Sequence, residues 1–247
     1  MKVLATYSIK GGVGKTTCAV NLAHEAACSG ARVLLWDLDP QGAATFFFRI
    51  KPKVKGGARR LIGASGALAP HVRATEMPAL HVVPADFSLR HLDLRLDALK
   101  RPAERLAALL EPLHGRYDVA LLDCPPGISL SSESVFGATN ALLVPMIPTP
   151  LSARTLEQLT RFLAQGSGGP AVLPHFSMVD RRKKLQRELV VKLSAQWPGF
   201  LTTVIPNAST IERMGTERAP VAAFAPKTAA AAAYRALWAE VAAGLWR

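Results

Sequence analysis

A glycine-rich run with a lysine at each end lies close to the amino terminus, where residues 10–17 read KGGVGKTT. The glycines let backbone N–H groups point into one concavity, and the start of the helix that we predict next adds its positive dipole end. In such a cradle Lys15 can reach phosphate groups, and the hydroxyl of Thr16 can ligate Mg²⁺. A glycine turn with an incidental lysine is the alternative, but strand, glycines, Lys-Thr and helix all agree on a phosphate site.

Short apolar runs on both sides of this loop alternate with segments of helical character. Such runs, including KVLATYS, RVLLWDLD, YDVALLD and ALLVPMI, are typical of strands in a parallel sheet that is covered on both faces. Helices are predicted at residues 15–29, 98–114, 150–165, 181–196 and 227–244. Residues 49–70 are punctuated by Gly and Pro and predict a loop with a short helix. The pattern indicates an α/β fold with one domain over residues 1–247.

The composition indicates a packed protein with a strongly positive field. The chain has 30 Lys and Arg against 18 Asp and Glu, a net charge of +12, which favours a polyanionic partner such as nucleic acid or an acidic membrane surface. The three cysteines show no metal-ligand spacing, and a reducing cytosol is the simpler interpretation. We expect no signal peptide and no membrane span.

The motif from Lys10 to Thr17 resembles, without a change, the KGGVGKT[TS] signature of the ParA/MinD-type deviant Walker A ATPases. The resemblance implies a P-loop NTPase fold, a mostly parallel twisted sheet, ATP and Mg²⁺ as cofactors, and hydrolysis of ATP. In that family two subunits close face to face over two ATP molecules, and the early lysine contacts the phosphates of the opposite subunit. Lys10 is therefore expected to be an interface residue of an ATP-bound homodimer.

Two acidic segments extend the resemblance. VLLWDLDPQGAAT is similar to the second signature of the family, which implies that Asp39 orients the attacking water or the Mg²⁺ shell and that Asp37 lies nearer the outer sphere of the metal. A helix or turn cap is the alternative for these carboxylates. YDVALLDCPPG is similar to a Walker B element, so Asp123 is expected to hold Mg²⁺ through water, and Cys124 to be a small buried filler.

The carboxy-terminal third contributes the expected adenine contacts. FSMVD resembles the strand that ends in an acceptor for the adenine amino group, here Asp180, although a helix N-cap is an equal alternative for that residue. VIPNAS resembles the segment that lines the base. The expected catalytic residues are Lys10, Lys15 and Asp39, and the metal residues are Thr16, Asp39 and Asp123. The expected ATP-binding residues are Lys10, Gly11, Gly12, Val13, Gly14, Lys15, Thr16, Thr17, Asp180, Pro206 and Asn207.

Basic residues gather at positions 49–60, at positions 181–187 and around Arg213. Each cluster alone can be a solvated face, but with the net charge they favour contact with the DNA backbone, which ParA-type proteins bind without sequence preference. ParA-type chains often have arginine soon after the VIP strand, whereas this chain has Asn207, Ala208, Ser209 and Thr210 before Arg213. The candidate DNA-binding residues are Arg181, Arg182, Lys183, Lys184, Arg187, Arg213 and Arg218.

The leading functional interpretation is a ParA-like ATPase that dimerises on ATP, binds DNA and moves or spaces a cargo such as a plasmid, a chromosome region or a protein organelle. A ParB-like or other adaptor would stimulate hydrolysis, and the protein would be cytoplasmic and associated with the nucleoid. The first alternative is a MinD-like ATPase on a membrane surface, which needs a basic amphipathic tail that we do not expect after residues 227–244. The second is an ATP-dependent metabolic ligase, a class that usually lacks a lysine at the position of Lys10.

Overall fold

The central element of the protein is a sheet that connects all parts of the chain. The structure is a computed structural model that describes residues 1–166, 168–197 and 199–245. Its strands are β1 (Lys2–Thr6), β2 (Val33–Asp37), β3 (Arg73–Ala74), β4 (Leu80–Val83), β5 (Val119–Asp123), β6 (Ala141–Met146), β7 (Ala171–Val179) and β8 (Val204–Pro206). They lie in the order β3-β4-β2-β5-β1-β6-β7-β8. Among the strands of the described residues, only the β3–β4 pair is antiparallel.

Twelve α-helical segments surround the sheet in the described residues. They are α1 (Lys15–Cys28), α2 (Ala43–Phe47), α3 (Gly57–Ile62), α4 (Leu92–Asp97), α5 (Arg105–Leu110), α6 (Leu130–Ala138), α7 (Pro150–Leu163), α8 (Lys184–Gln196), α9 (Ser209–Glu212), α10 (Met214–Glu217), α11 (Val221–Phe224) and α12 (Ala229–Leu245). Short 3₁₀ turns occupy 69–71, 87–91, 102–104 and 111–113. No helix of the described ranges combines the length and the apolar character that a membrane crossing needs.

The strands separate two apolar cores because their side chains alternate between the faces of the sheet. In β2, Leu34 and Trp36 belong to one core while Val33 and Leu35 belong to the other. Helices α4 to α8 contribute to the first core, and α1 and α12 pack together on the second. The predicted α/β architecture, with helices on both faces of a mostly parallel sheet, is confirmed.

Several predicted boundaries are wrong for local reasons. The helix expected over 98–114 is broken into a 3₁₀ turn, α5 and a second 3₁₀ turn, because Pro102 begins the first tight turn and Pro112 is the second residue of the other. The helix expected over 181–196 begins only at Lys184, since the preceding residues form a turn on Asp180. Helix α6 was not predicted because its apolar residues show no helical periodicity; Ser129 and Ser132 form a capping box at its start.

Parallel register brings three strand ends to one edge of the sheet. Asp123 at the end of β5 is the register partner of Thr6 in β1 and of Asp37 in β2. The glycine-rich loop leaves β1 at this same edge and enters α1. Loops and carboxylates that are far apart in sequence therefore meet at the carboxyl ends of the strands, where ligands bind in proteins with a parallel sheet.

Candidate functional site

The glycine-rich loop turns sharply between β1 and α1. Gly12 and Gly14 have φ angles of +70° and +92°, a region of backbone space that residues with a side chain rarely adopt. Gly14 is the N-cap of α1 and no side chain caps it, so the first amides of the helix are left for an external acceptor. A Cβ atom added at Gly11 or Gly12 would meet nothing within 4 Å, which means that the mouth of the loop is open. Val13 is buried.

We expect the Gly14→Ala variant to lose about 1–3 kcal/mol of unfolding free energy, because its φ is positive and its new Cβ would lie 2.8 Å from the Ser177 hydroxyl oxygen. The matched control is Gly11→Ala, where the φ is not positive and there is space around the Cβ. Urea unfolding of both variants measures the difference. Equal stability of the two would contradict this account of the loop.

Lys15 lies inside the loop and does not extend into solvent. Only 7% of its surface is exposed, and its ammonium donates a hydrogen bond to the carbonyl oxygen of Lys10 at 3.1 Å. Burial lowers the pKa of Lys15, and the nearby Asp123 carboxylate opposes that shift. The ammonium is thus held at the base of the open loop, close to the carboxyl edge of the sheet.

Asp123 and Thr16 meet beside this ammonium. The Asp123 carboxyl is fully buried; its Oδ1 accepts a bond from the Thr6 hydroxyl at 3.3 Å, and the Thr16 hydroxyl is near enough to lower the pKa of the carboxyl. Burial raises the pKa of Asp123 well above its usual range, with the Asp37 carboxylate adding to the shift. Its Oδ2 has no hydrogen-bond partner among the described residues. An orphaned carboxylate oxygen next to a hydroxyl is a donor set that fits Mg²⁺.

Asp37 has a structural role in the segment after β2, and its expected place near the outer sphere of the metal stays a prediction. Its Oδ2 accepts bonds from the Thr45 backbone N–H at 2.8 Å and the Thr45 hydroxyl at 2.7 Å, and its Oδ1 accepts from the Asp39 N–H at 3.2 Å. The Thr45 hydroxyl in turn accepts from the Ala85 N–H at 2.8 Å. The turn-cap alternative is therefore confirmed for Asp37, which fixes the segment that carries Asp39.

Burial raises the pKa of Asp37 to about 6, and the Thr45 hydroxyl opposes the shift. The folded protein holds this proton more tightly than the unfolded chain does, where the pKa is 3.8. The stability that protonated Asp37 contributes is thus fully present below pH 3.8 and is lost as the pH rises through about 6. Carbon-13 NMR of nucleotide-free protein should find the Asp37 carboxyl titrating near pH 6.

In the Thr45→Val variant the Asp37 carboxyl should titrate at still higher pH, since the substitution removes a hydrogen bond that favours the charged form of the carboxyl. Thr160→Val is the control, because that hydroxyl bonds only to carbonyl oxygens of its own helix. If the Asp37 carboxyl of the parent protein titrates with a midpoint near pH 4, burial does not raise its pKa and this account of Asp37 is wrong.

Asp39 differs from Asp37 in that it is half-buried at the open edge. Its Oδ1 accepts a bond from the Gln41 N–H at 2.9 Å, and its carbonyl oxygen accepts from the Gly42 N–H at 2.9 Å. Within the described ranges nothing donates a hydrogen bond to its Oδ2. One carboxylate oxygen is therefore fixed by the turn while the other stays available.

Lys10 is the second lysine of the loop, and none of the described residues engages its ammonium. The residue is half-buried, and its backbone is fixed by the bond from Lys15 and by its own N–H, which donates to the Ser8 hydroxyl at 3.3 Å. No carboxylate in the part of the chain that the structure describes lies within ion-pairing distance of Lys10. A cation without an internal partner at the mouth of a phosphate cradle can serve a ligand outside its own loop.

A cleft of about 680 Å³ begins at the end of the loop and is called the nucleotide cleft below. Gly14, Thr17, Pro206 and Asn207 line it, so the structure brings these predicted residues together. The sequence analysis missed other lining residues, among them Phe47, Ser177, Met178, Ile211 and Tyr234. Met178 has a φ of +56°, and no sequence signal marks a methionine for that conformation.

Asp180 is not among the residues that line the nucleotide cleft. Both of its carboxylate oxygens accept bonds from the Arg182 guanidinium at 2.9 Å, which holds the pKa of Asp180 at about 2. Its carboxylate also accepts from the Arg182 backbone N–H at 3.1 Å, so it closes a turn ahead of α8, whose N-cap is Lys183. The N-cap alternative is wrong in that detail, and the adenine contact stays a prediction.

The predicted DNA-binding residues form two groups. Around the start of α8 all five are exposed; Arg187 bonds to the Arg181 carbonyl oxygen at 2.8 Å, and Lys184 lies 3.8 Å from Glu188. The other two make internal contacts. Arg213 pairs with Glu217 at 2.6 Å, and Arg218 donates from Nε to the Phe46 carbonyl oxygen at 3.2 Å. The first group is the more accessible surface.

Comparison with known proteins finds sequence relatives of nearly equal length. Residues 1–167 match a family model described as an AAA domain. The chain is 32% identical to the chromosome partitioning protein ParA of Caulobacter vibrioides, with 98% of this chain and 94% of that protein covered. It is 28% identical to the sporulation initiation inhibitor protein Soj of Bacillus subtilis, with 98% of each chain covered.

Solved structures share the fold at lower identity. The cell division ATPase MinD of Pyrococcus furiosus has a TM-score of 0.81 at 22% identity, with 98% of each chain covered. A McdA–ATP complex from Cyanothece has a TM-score of 0.84 at 22% identity, covering 100% of this chain and 98% of that one. Cobyrinic acid a,c-diamide synthase of Mycobacterium smegmatis reaches 0.80 at 24% identity, covering 98% and 94%. The fold alone therefore does not separate a cell division ATPase from a cobyrinic acid a,c-diamide synthase.

Proposed function

The chain belongs to the ParA/MinD-type deviant Walker A P-loop ATPases, and we propose on that premise that it is a ParA-like ATPase with one domain over residues 1–247. It binds ATP and Mg²⁺, forms a homodimer around the nucleotide, binds DNA without sequence preference and hydrolyses ATP when an adaptor stimulates it. The observation that carries this proposal is the pair of lysines in one loop: Lys15 is turned inward, and Lys10 keeps an ammonium that has no ion-pair partner in the described ranges.

The residues of the loop supply phosphate binding. The open amides at the start of α1 and the Lys15 ammonium are donors for the β- and γ-phosphates. Thr16 and Asp123 are the residues that would hold Mg²⁺, which supplies neutralisation of phosphate charge when it is bound. A MinD from Pyrococcus horikoshii was crystallised with Mg-ADP, which supports this assignment for the shared fold.

The carboxylate of Asp39 positions the attacking water. Its Oδ1 is fixed by the Gln41 N–H, and this leaves Oδ2 as an acceptor near the Lys15 ammonium, whose pKa Asp39 raises. A carboxylate held in place by its other oxygen can orient the attacking water, and such positioning is a main contribution of the protein to phosphoryl transfer.

Dimerisation follows from charge balance at the mouth of the loop. Two triphosphates carry more negative charge than one Lys15 per subunit neutralises, and Lys10 of the opposite subunit adds a second cation to each site. The dimer is then stable only while the nucleotide is intact, so the subunits associate with ATP and dissociate after hydrolysis.

DNA binding rests on the positive field and on the exposed group around α8. The net charge of +12 and five exposed cations near the start of that helix suit a contact that neutralises the DNA backbone. A nucleoid location in the cytoplasm and a cargo of DNA or a protein organelle belong to the same proposal. The ParA relative, named for chromosome partitioning, supports the partition role.

We expect charge reversal at Arg181, Lys183 and Lys184 to weaken ATP-dependent DNA binding and to reduce the slope of log K against log salt by about 0.9 for each DNA phosphate that the variant no longer neutralises. Arg182 is left intact because it holds Asp180. The measurement is a DNA titration with ATP, ADP and no nucleotide at two salt concentrations.

The control reverses three cations of a separate cluster, Lys51, Lys53 and Lys55, which are also exposed. If the control weakens binding more than the α8 variant, the DNA surface lies at residues 49–60. If the parent and both variants fail to bind DNA in the presence of ATP, the ParA-like proposal fails. Binding to vesicles of anionic lipid would then indicate a MinD-like ATPase. Binding to neither DNA nor vesicles would indicate a metabolic ligase.

A further inference from the structure

A second cleft of about 610 Å³ lies outside the nucleotide cleft. It is bounded by α1, by the end of α2, by the turn before β4 and by the segment that joins α10 to α11, and we call it the α1–α10 cleft. Its apolar walls include Phe47, Phe48 and Met77, and its polar walls include Arg49, Arg218 and Glu76. Aromatic walls with a few charged groups are typical of small-molecule sites.

The two arginines of this cleft have an unusual backbone. Arg49 and Arg218 have φ angles of +58° and +49°, and in the described residues Met178 is the only other non-glycine residue with a positive φ. Such conformations are costly and gather at ligand clamps and switch regions. Here they place two guanidinium groups from distant parts of the chain in one cavity.

The charges of the cleft favour an anion. Arg49 pairs with Glu76 at 3.0 Å and also donates to the Glu217 carbonyl oxygen at 3.2 Å. Arg218 lies over the Phe46 ring, 4.4 Å from its centre, and donates only from Nε, to the Phe46 carbonyl oxygen. Within the described ranges nothing accepts from its two terminal nitrogens. An arginine fixed by stacking with its fork free is suited to a carboxylate or a phosphate.

We propose that the α1–α10 cleft binds a small organic anion in which one carboxylate or phosphate group is joined to an apolar body. The acidic group pairs with the free fork of Arg218, and the apolar body packs on Phe47, Phe48 and Met77. A fully charged polymer such as DNA fits this cavity poorly, because most of its wall is apolar.

The position of Phe47 links this site to the nucleotide cleft. Phe47 lines both cavities, and α10 separates them, with Gly215 on the nucleotide side and Arg218 following the last residue of the helix. A ligand that fixes Phe47 and Arg218 therefore changes the wall of the nucleotide cleft and the affinity for nucleotide. This coupling rests on the proposed nucleotide site, whereas binding of the anion does not.

The test is a titration of the folded protein with 2-naphthoate by calorimetry, with Mg-ADP present so that the glycine-rich loop is not available to the probe. Saturable binding of 2-naphthoate is expected. Two control compounds should each bind at least about tenfold more weakly: 2-naphthalenemethanol, which lacks the charge, and acetate, which lacks the ring. Arg218→Gln should weaken 2-naphthoate binding about tenfold or more. The control Lys227→Gln removes an exposed cation outside the cleft and should leave the affinity unchanged.

A second variant tests the site without changing Arg218, so that a local change of structure around Arg218 does not decide the result. Ala223→Phe fills the cleft from its exposed rim, keeps both arginines and should also abolish binding. Parent affinity in both variants, or no saturable binding by the parent, overturns the site. ADP affinity should change about fivefold with saturating 2-naphthoate, and an unchanged value overturns the coupling. Failure to bind ADP without the probe would instead refute the proposed nucleotide site.

Discussion

The Lys15→Ala variant is expected to lose affinity for Mg-ATP by about 100-fold or more. In the parent protein Lys15 is buried, and its ammonium is held at the base of the open loop by the Lys10 carbonyl oxygen. The position is therefore organised before a ligand arrives, and a charge-assisted bond to each of two phosphates would be lost at about 1.5 kcal/mol or more apiece. Calorimetry with a non-hydrolysable ATP analogue measures the effect.

Lys10→Ala is the informative comparison because it removes the same charge from the same loop. Lys10 has no ion-pair partner in the described part of its own chain, so this variant should still bind ADP as a monomer while it fails to dimerise with the ATP analogue. Light scattering separates the two outcomes. A folded Lys15→Ala variant with parent affinity would exclude Lys15 from the phosphate site, and a Lys10→Ala variant that dimerises normally would remove the proposed reason for assembly.

Much of the fold follows from local sequence pattern. The buried strands are continuous apolar runs, and the loop from β1 into α1 is fixed by its glycines, so both are visible without a structure. Parallel register then places Asp123 opposite Thr6 and close to Thr16. The shape of the glycine-rich loop and the position of Asp123 beside it were predictable because each depends on residues adjacent in sequence to a strand end.

The remaining features depend on contacts between distant segments. Asp37 and Asp39 look alike in sequence, yet the bonds of Asp37 to Thr45, and of Thr45 to Ala85, make one carboxylate structural and leave the other at the edge. The wall of the nucleotide cleft draws on α2, β7 and α9, and no periodic pattern connects those elements. Asp180 was expected in that wall, but an arginine close to it in sequence engages both of its oxygens.

The Asp39→Ala variant is expected to bind ATP and dimerise but to hydrolyse ATP at least about 100-fold more slowly, the usual contribution of a positioned acid or base. This side chain is not part of the glycine-rich loop, because Asp39 lies in the turn after β2, where its Oδ1 accepts the bond from the Gln41 N–H. Only the water-orienting oxygen and one turn hydrogen bond disappear. Phosphate release measures turnover, and light scattering with ATP measures the trapped dimer.

Asp39→Asn separates the charge of this residue from its role in the turn. The amide oxygen of asparagine can still accept the bond from the Gln41 N–H, so the segment after β2 keeps its shape while the carboxylate charge is lost. If the charge orients the water, both variants are equally slow and both remain dimeric in ATP. If Asn restores the parent rate while Ala does not, Asp39 acts only by holding the turn, and another group must position the water.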